Sequence, residues 1–121
     1  MRCPAALLLL ALLGACDEGD VGESRLLVEG DPALGRAVIA REGCGACHQI
    51  PGLRGARGRV GPSLAGFARR GYIAGQFPNR APMLIRWIRE APALVPATVM
   101  PGFALTEREL RDVAAYLYRL D

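Results

Sequence analysis

The chain has 121 residues, with fifteen arginines, no lysine, twelve acids, four cysteines, one histidine and a formal charge of +3. That length allows one small domain rather than two, and a domain of this size has a meagre core unless a cofactor gives it apolar surface to wrap. A single imidazole, His48, excludes any site that needs two from this chain.

Met1 and Arg2 make a short basic start, and Pro4 to Leu13 is an apolar run too short to cross a bilayer as an ordinary helix. It reads as an export signal. Leu13-Gly14-Ala15-Cys16 sets small residues before a cysteine, which resembles the lipobox of bacterial lipoproteins, where cleavage leaves the cysteine as a lipid-modified first residue. Ordinary cleavage near Ala15 with an unmodified thiol, or an uncleaved anchor, are the alternatives. The expected organisation is a signal peptide over 1–15, an acidic flexible tether over 16–30 starting at lipidated Cys16, and a folded domain over 31–121. Asp17 after Cys16 resembles the inner-membrane retention signal of such lipoproteins. The predicted location is the periplasmic side of a bacterial cytoplasmic membrane.

Charge divides the exported chain into three parts. Residues 17–31 carry a net −5, residues 32–80 a net +7, and residues 81–121 balance to zero. A basic section suggests docking on an acidic partner by electrostatic steering, and a merely solvated face is the plainer reading. Nucleic acid is disfavoured as a partner by the export signal and by the absence of a recognised motif.

Asp31-Pro32 is an N-cap and first-turn pair, and Leu34, Val38 and Ile39 recur at helical spacing behind it. This predicted helix leads into Cys44-Gly45-Ala46-Cys47-His48. Two thiols three residues apart, followed directly by histidine, form the attachment signature of a c-type haem. Each thiol can add across a porphyrin vinyl group, and His48 can reach the iron from the proximal side. A zinc site lacks a fourth ligand once the N-terminal cysteines are set aside. A thioredoxin-like dithiol would want a preceding strand, and none precedes Cys44.

Seven glycines between Gly52 and Gly75 break the middle of the chain into loop, and no convincing strand is found. Pro82 can start a second helix with Leu84, Ile85 and Ile88 on one face, ending before Pro92. Thr106 and Glu109 make a capping box for a last helix with the stripe Leu110, Val113, Ala114 and Leu117. The second axial ligand decides the chemistry. Met83 opens a predicted helix, where methionine usually fills core. Met100 lies in a proline-bracketed loop, Pro96-Ala97-Thr98-Val99-Met100-Pro101-Gly102, which can hold a thioether rigidly, and it is the preferred candidate.

With these motifs in this order the sequence resembles class I cytochrome c from about Gly30 to the C-terminus. The likeness is carried by Gly35, the C-G-A-C-H run at 44–48, Gly61-Pro62-Ser63-Leu64, Leu84 with Trp87-Ile88, Thr98-Val99-Met100-Pro101, and Ala115-Tyr116-Leu117. It implies an all-α fold of three or more helices around one covalent haem c. It implies that Cys44 and Cys47 hold the haem, that His48 and Met100 bind iron, and that the Pro62 carbonyl accepts a hydrogen bond from His48. Thr98 matches a residue that hydrogen-bonds a haem propionate, and Gly35 one that lets the first helix cross the last closely, against Tyr116. Trp87 matches an aromatic near the methionine side of the haem, although a lone tryptophan on an apolar helix face reads more simply as core. Arg69, Arg70 and Tyr72 lie in a loosely matching loop and read as surface. The absence of lysine departs from the family's usual partner recognition.

The function expected is a monomeric, membrane-tethered electron carrier, without substrate turnover of its own. Its partners would be redox proteins such as a cytochrome bc complex, a haem-copper terminal oxidase or a periplasmic oxidoreductase of the respiratory chain. A fixed haem subunit of a larger respiratory complex, and a gas-binding or peroxidatic haem protein with a labile sixth ligand, are the alternatives.

Overall fold

A computed structural model describes residues 28–121. The expected signal peptide, Cys16 and the tether as far as residue 27 lie outside the described residues. In chain order the elements are α1 (Pro32–Arg41), a 3-10 turn at Cys44–Ala46, a second at Phe67–Arg69, β1 (Tyr72–Ile73), β2 (Phe77–Pro78), α2 (Ala81–Leu94) and α3 (Glu107–Leu117).

The Asp31 carboxylate caps α1 as expected, accepting from the N–H groups of Ala33 at 2.8 Å and Leu34 at 3.3 Å, with Pro32 in the first turn. The helix stops at Gly43, whose φ of 72° is left-handed and whose N–H returns to the Ala40 carbonyl. At the other end of the chain the Thr106–Glu109 capping box forms in both directions, and Leu110, Val113, Ala114 and Leu117 are buried along α3.

α1 and α3 cross with almost no space between their backbones. A Cβ on Gly35 would lie 1.9 Å from the Asp112 carbonyl oxygen, and one on Gly30 would lie 2.4 Å from that of Arg111. The close approach expected at Gly35 is therefore present, but against Asp112 and Val113 rather than Tyr116. Tyr116 sits a turn further on, where its hydroxyl donates to the Pro51 carbonyl at 2.8 Å. The buried Asp112 carboxylate accepts the Asp31 N–H at 2.7 Å, so a side chain of α3 fastens the start of α1. Val28 and Gly30, at the end of the expected tether, already pack on this unit.

α2 lays Ala81, Leu84, Trp87, Ile88 and Ala91 against the core, while Ile85 is half-buried. Ile39, Leu84 and Leu110 are the largest fully buried apolar side chains, each stabilising the fold by about 2 kcal/mol. The expected end before Pro92 becomes a break: Glu90 leaves helical geometry at φ −143°, ψ 36°, and one further turn runs to Leu94. Proline cannot continue the hydrogen bonding of the turn before it, yet fits the first turn of the next.

The hairpin corrects the reading without strands. Tyr72 pairs with Pro78 and Ile73 with Phe77, a ladder too short for alternation to show in sequence. Ala74 and Gly75, with φ of 51° and 68°, turn the chain, and the Gln76 N–H closes on the Ile73 carbonyl at 3.1 Å. Beside it the buried Asn79 amide donates to the carbonyls of Phe67 at 3.1 Å and Arg70 at 3.0 Å and accepts the Tyr118 hydroxyl at 3.0 Å. One side chain thus ties the 3-10 turn and the hairpin to the end of α3.

Candidate haem-binding site

The motif 44–48 begins where α1 ends, because Gly43 reverses the chain and a 3-10 turn follows. The Cys47 and His48 N–H groups both reach the Cys44 carbonyl, at 3.2 and 3.0 Å. Both thiols are unpaired and partly exposed. Burial pushes the Cys44 thiol above its ordinary value, opposite to the depressed thiol of a thioredoxin-like dithiol. Among the described residues no three His, Cys, Asp or Glu side chains converge as a metal cluster.

The segment 56–62 closes over the motif with backbone alone. The Gly58 N–H donates to the Gly45 carbonyl at 3.0 Å and the Gly61 N–H to that of Cys47 at 2.8 Å. A Cβ on Gly58 would lie 2.3 Å from the Ala46 carbonyl oxygen, and one on Gly61 would lie 2.4 Å from Cε1 of the His48 ring. His48 Nδ1 lies 2.7 Å from the Pro62 carbonyl oxygen. A carbonyl only accepts, so Nδ1 carries the proton and Nε2 presents its lone pair.

The loop after the motif is held by Arg36, which the sequence reading did not single out, and by Tyr116, which it placed at the helix crossing instead. Arg36, on α1, donates from Nε and Nη2 to the Gly52 carbonyl at 3.1 and 2.9 Å, next to the Pro51 carbonyl held by Tyr116. No spacing rule marks a side chain that bonds a distant carbonyl.

The family model described as Cytochrome c matches residues 32–121. The chain belongs to the cytochrome c family. A search of curated proteins returns no match. Among solved structures the chain is similar to the c-type cytochrome SorU from Sinorhizobium meliloti, with 25% identity and a TM-score of 0.51 over 74% of this chain and 88% of that one.

A cytochrome c domain binds haem c covalently, and this one has the size for a single haem. The residues present fit the group. His48 has an oriented imidazole with a free Nε2, two unpaired thiols stand on the same turn, and the partly exposed side chains resting on the core include Cys44, Leu53, Leu64, Phe77, Met83 and Met100. Partly exposed apolar side chains of this kind are what a flat apolar ring can cover.

The other sequence candidates fall into two groups. Met100 is half-buried in an irregular loop, with its N–H on the Thr98 hydroxyl at 3.2 Å. Thr98 therefore shapes that loop and keeps its O–H as a donor. Met83, also half-buried, lies in the first turn of α2. Trp87 is 8% exposed, with its ring 6.0 Å from that of Phe77, a core position. Arg70 donates to the Ser63 and Ala65 carbonyls and lies 5.8 Å from the Phe67 ring centroid, while Arg69 and Tyr72 are exposed.

Proposed function

We propose that this cytochrome c is a monohaem electron carrier, tethered through lipidated Cys16 to the periplasmic face of a bacterial cytoplasmic membrane, with iron held between His48 and Met100. The observation that carries the reading is the 2.7 Å contact of His48 Nδ1 with the Pro62 carbonyl, which leaves Nε2 as the free imidazole donor beside Cys44 and Cys47. When bound, the haem supplies reversible one-electron chemistry between ferrous and ferric iron.

The chain's own residues orient and enclose that chemistry. Cys44 and Cys47 are the attachment points, and the Pro62 carbonyl, drawing on the Nδ1 proton, strengthens the donor character of His48. Gly61 leaves room for the ring. Met100, in a loop without helical hydrogen bonds to satisfy, offers a thioether that closes the sixth position to water and gases. Thr98 shapes that loop and has a free O–H for a propionate.

Partner recognition follows from where unpaired charge lies. Arg54, Arg57 and Arg59 are exposed in the loop that follows the haem motif and folds back over it, and among the described residues they take part in no ion pair, whereas Arg86, Arg89 and Arg111 on α2 and α3 pair with Glu90 or Glu107. Three cations without a paired acid among the described residues therefore lie close together in sequence next to the haem motif. An acidic redox partner, such as a cytochrome bc complex, a haem-copper oxidase or a periplasmic oxidoreductase, would be steered to that side. The tether from Cys16 to residue 27, before the packed Val28, would reach at most ~40 Å when extended, which confines the search to the membrane surface.

The test is the rate of electron exchange between the holoprotein and membranes of its source, followed against ionic strength. The expected result is a rate that falls steeply with added salt, and falls at low salt when Arg54, Arg57 and Arg59 are neutralised together. A rate indifferent to salt, or a cytochrome that leaves detergent-solubilised membranes only in fixed stoichiometry with other subunits, contradicts a steered mobile carrier.

A further inference from the structure

The Ile88 carbonyl lies four residues before Pro92, which has no N–H, so a regular helix would leave that acceptor without its donor. The fold fills the gap from outside the helix. The backbone breaks at Glu90, and the Phe103 N–H arrives from the far side of the Met100 loop to donate to the Ile88 carbonyl at 3.1 Å. Gly102 admits it: a Cβ there would lie 2.6 Å from the Arg89 carbonyl oxygen.

The other side of the loop starts from the same break. In the short turn that Pro92 opens, the Val95 N–H reaches the Ala91 carbonyl at 2.9 Å, and the Thr98 N–H reaches the Val95 carbonyl at 2.9 Å. The Met100 N–H then reaches the Thr98 hydroxyl at 3.2 Å. Met100 is therefore bracketed by two attachments to one helix, a ladder of bonds before it and the Ile88–Phe103 joint after it.

We propose that the break in α2 made by Pro92 and filled by Gly102 and Phe103 is the anchor of the Met100 loop, and that Pro92 and Gly102 are positioning residues for the sixth iron ligand. The proposal rests on the reading of Met100 as that ligand. A loop fastened on both sides of its methionine releases the sulfur only by opening one attachment. Local opening of this kind is set by the bonds of the joint rather than by the stability of the whole domain.

The experiment uses oxidised holoprotein and two readouts: the association rate of added imidazole, which enters only when the methionine leaves, and amide hydrogen exchange at Phe103. Pro92→Ala supplies an N–H that competes for the Ile88 carbonyl. Gly102→Ala pushes the Phe103 segment away from Arg89. Gly30→Ala is the comparison, since its Cβ would lie 2.4 Å from the Arg111 carbonyl oxygen and strains the helix crossing without touching the loop.

Imidazole association and Phe103 exchange are expected to rise together by about tenfold in Pro92→Ala and in Gly102→Ala, the effect of losing one backbone hydrogen bond. The double variant should rise no further than the larger single change, because both remove one joint. Gly30→Ala should be less stable yet near wild type in both readouts. Unchanged imidazole rates in the two loop variants, or rates that follow global stability in all three, overturn the proposal. A wild-type protein without a methionine-to-iron band overturns the ligand reading and the positioning role with it. Phe103 exchange then still reports whether the backbone joint exists, so the two failures are told apart.

Discussion

Gly61 has no side chain because the His48 ring occupies that space. A Cβ there would lie 2.4 Å from Cε1 and 2.8 Å from Nδ1, the atom bonded to Pro62. Gly61→Ala is therefore expected to turn the imidazole and break the bond that raises its donor strength. On the proposed ligation by His48, ferric iron depends on that donor more than ferrous iron does, so the reduction potential should rise by on the order of 60 mV, a tenfold change in relative stability. Haem retention should fall as well. Redox titration checks this, and an unchanged potential in a fully loaded variant would show that the Pro62 bond does not tune the site. The residues 44–48 were legible in the sequence because their chemistry needs thiols and imidazole at fixed spacing. Gly58 was legible only as a breaker of secondary structure, and Gly61 only as that and as part of a motif of the resemblance. Their use is the absence of a Cβ where two backbone segments touch, and that cannot be read without knowing which segments meet.

The helices show the same divide between local and distant causes. Capping residues act within one turn, so Asp31-Pro32 and Thr106 with Glu109 marked the starts of α1 and α3 correctly. The strands of the hairpin were missed because two residues carry no periodicity and Ala74-Gly75 lacks the usual asparagine of such turns. Asp112 was missed because a buried carboxylate on a helix is explained only by its partner on another element, the Asp31 N–H. The crossing of α1 and α3 carries a direct test. Gly35→Ala places a Cβ 1.9 Å from the Asp112 carbonyl oxygen, an overpacking expected to cost about 3 kcal/mol by denaturant titration. A loss well under 1 kcal/mol would mean that the helices can separate without penalty.

The capping box of α3 also sets an acid response. Glu109 accepts the Thr106 N–H at 2.9 Å and the Arg41 guanidinium at 2.8 Å, and these bonds, the Thr106 backbone one foremost, hold its carboxyl at about 2 against an ordinary 4.5. The folded value lies below the unfolded one, so this stabilisation is complete above 4.5 and is lost as the pH falls towards 2. Glu109→Gln keeps the geometry of the box without the titrating charge. It should flatten the dependence of stability on pH across that window, measured by denaturant titration at pH steps. An unaltered slope would place the acid sensitivity elsewhere.

At the scale of the whole molecule, cytochrome c membership and the all-α architecture follow from motifs whose order along the chain is itself informative, and the family match over residues 32–121 agrees with them. The organisation of charge needed the structure. Sequence counting finds a basic section from 32 to 80, but only the fold separates arginines that pair with glutamate, as Arg41 does, from Arg54, Arg57 and Arg59, which have no ion pair among the described residues. The central claim is that His48 and Met100 close the iron to everything but an electron. The measurement that tests it most directly is the absorption spectrum of the haem-loaded protein, oxidised and reduced, with and without carbon monoxide. The account predicts a low-spin c-type spectrum, the weak methionine-to-iron band in the oxidised form, and no response of the reduced form to carbon monoxide. A high-spin oxidised spectrum, or ready carbon monoxide binding, would contradict it.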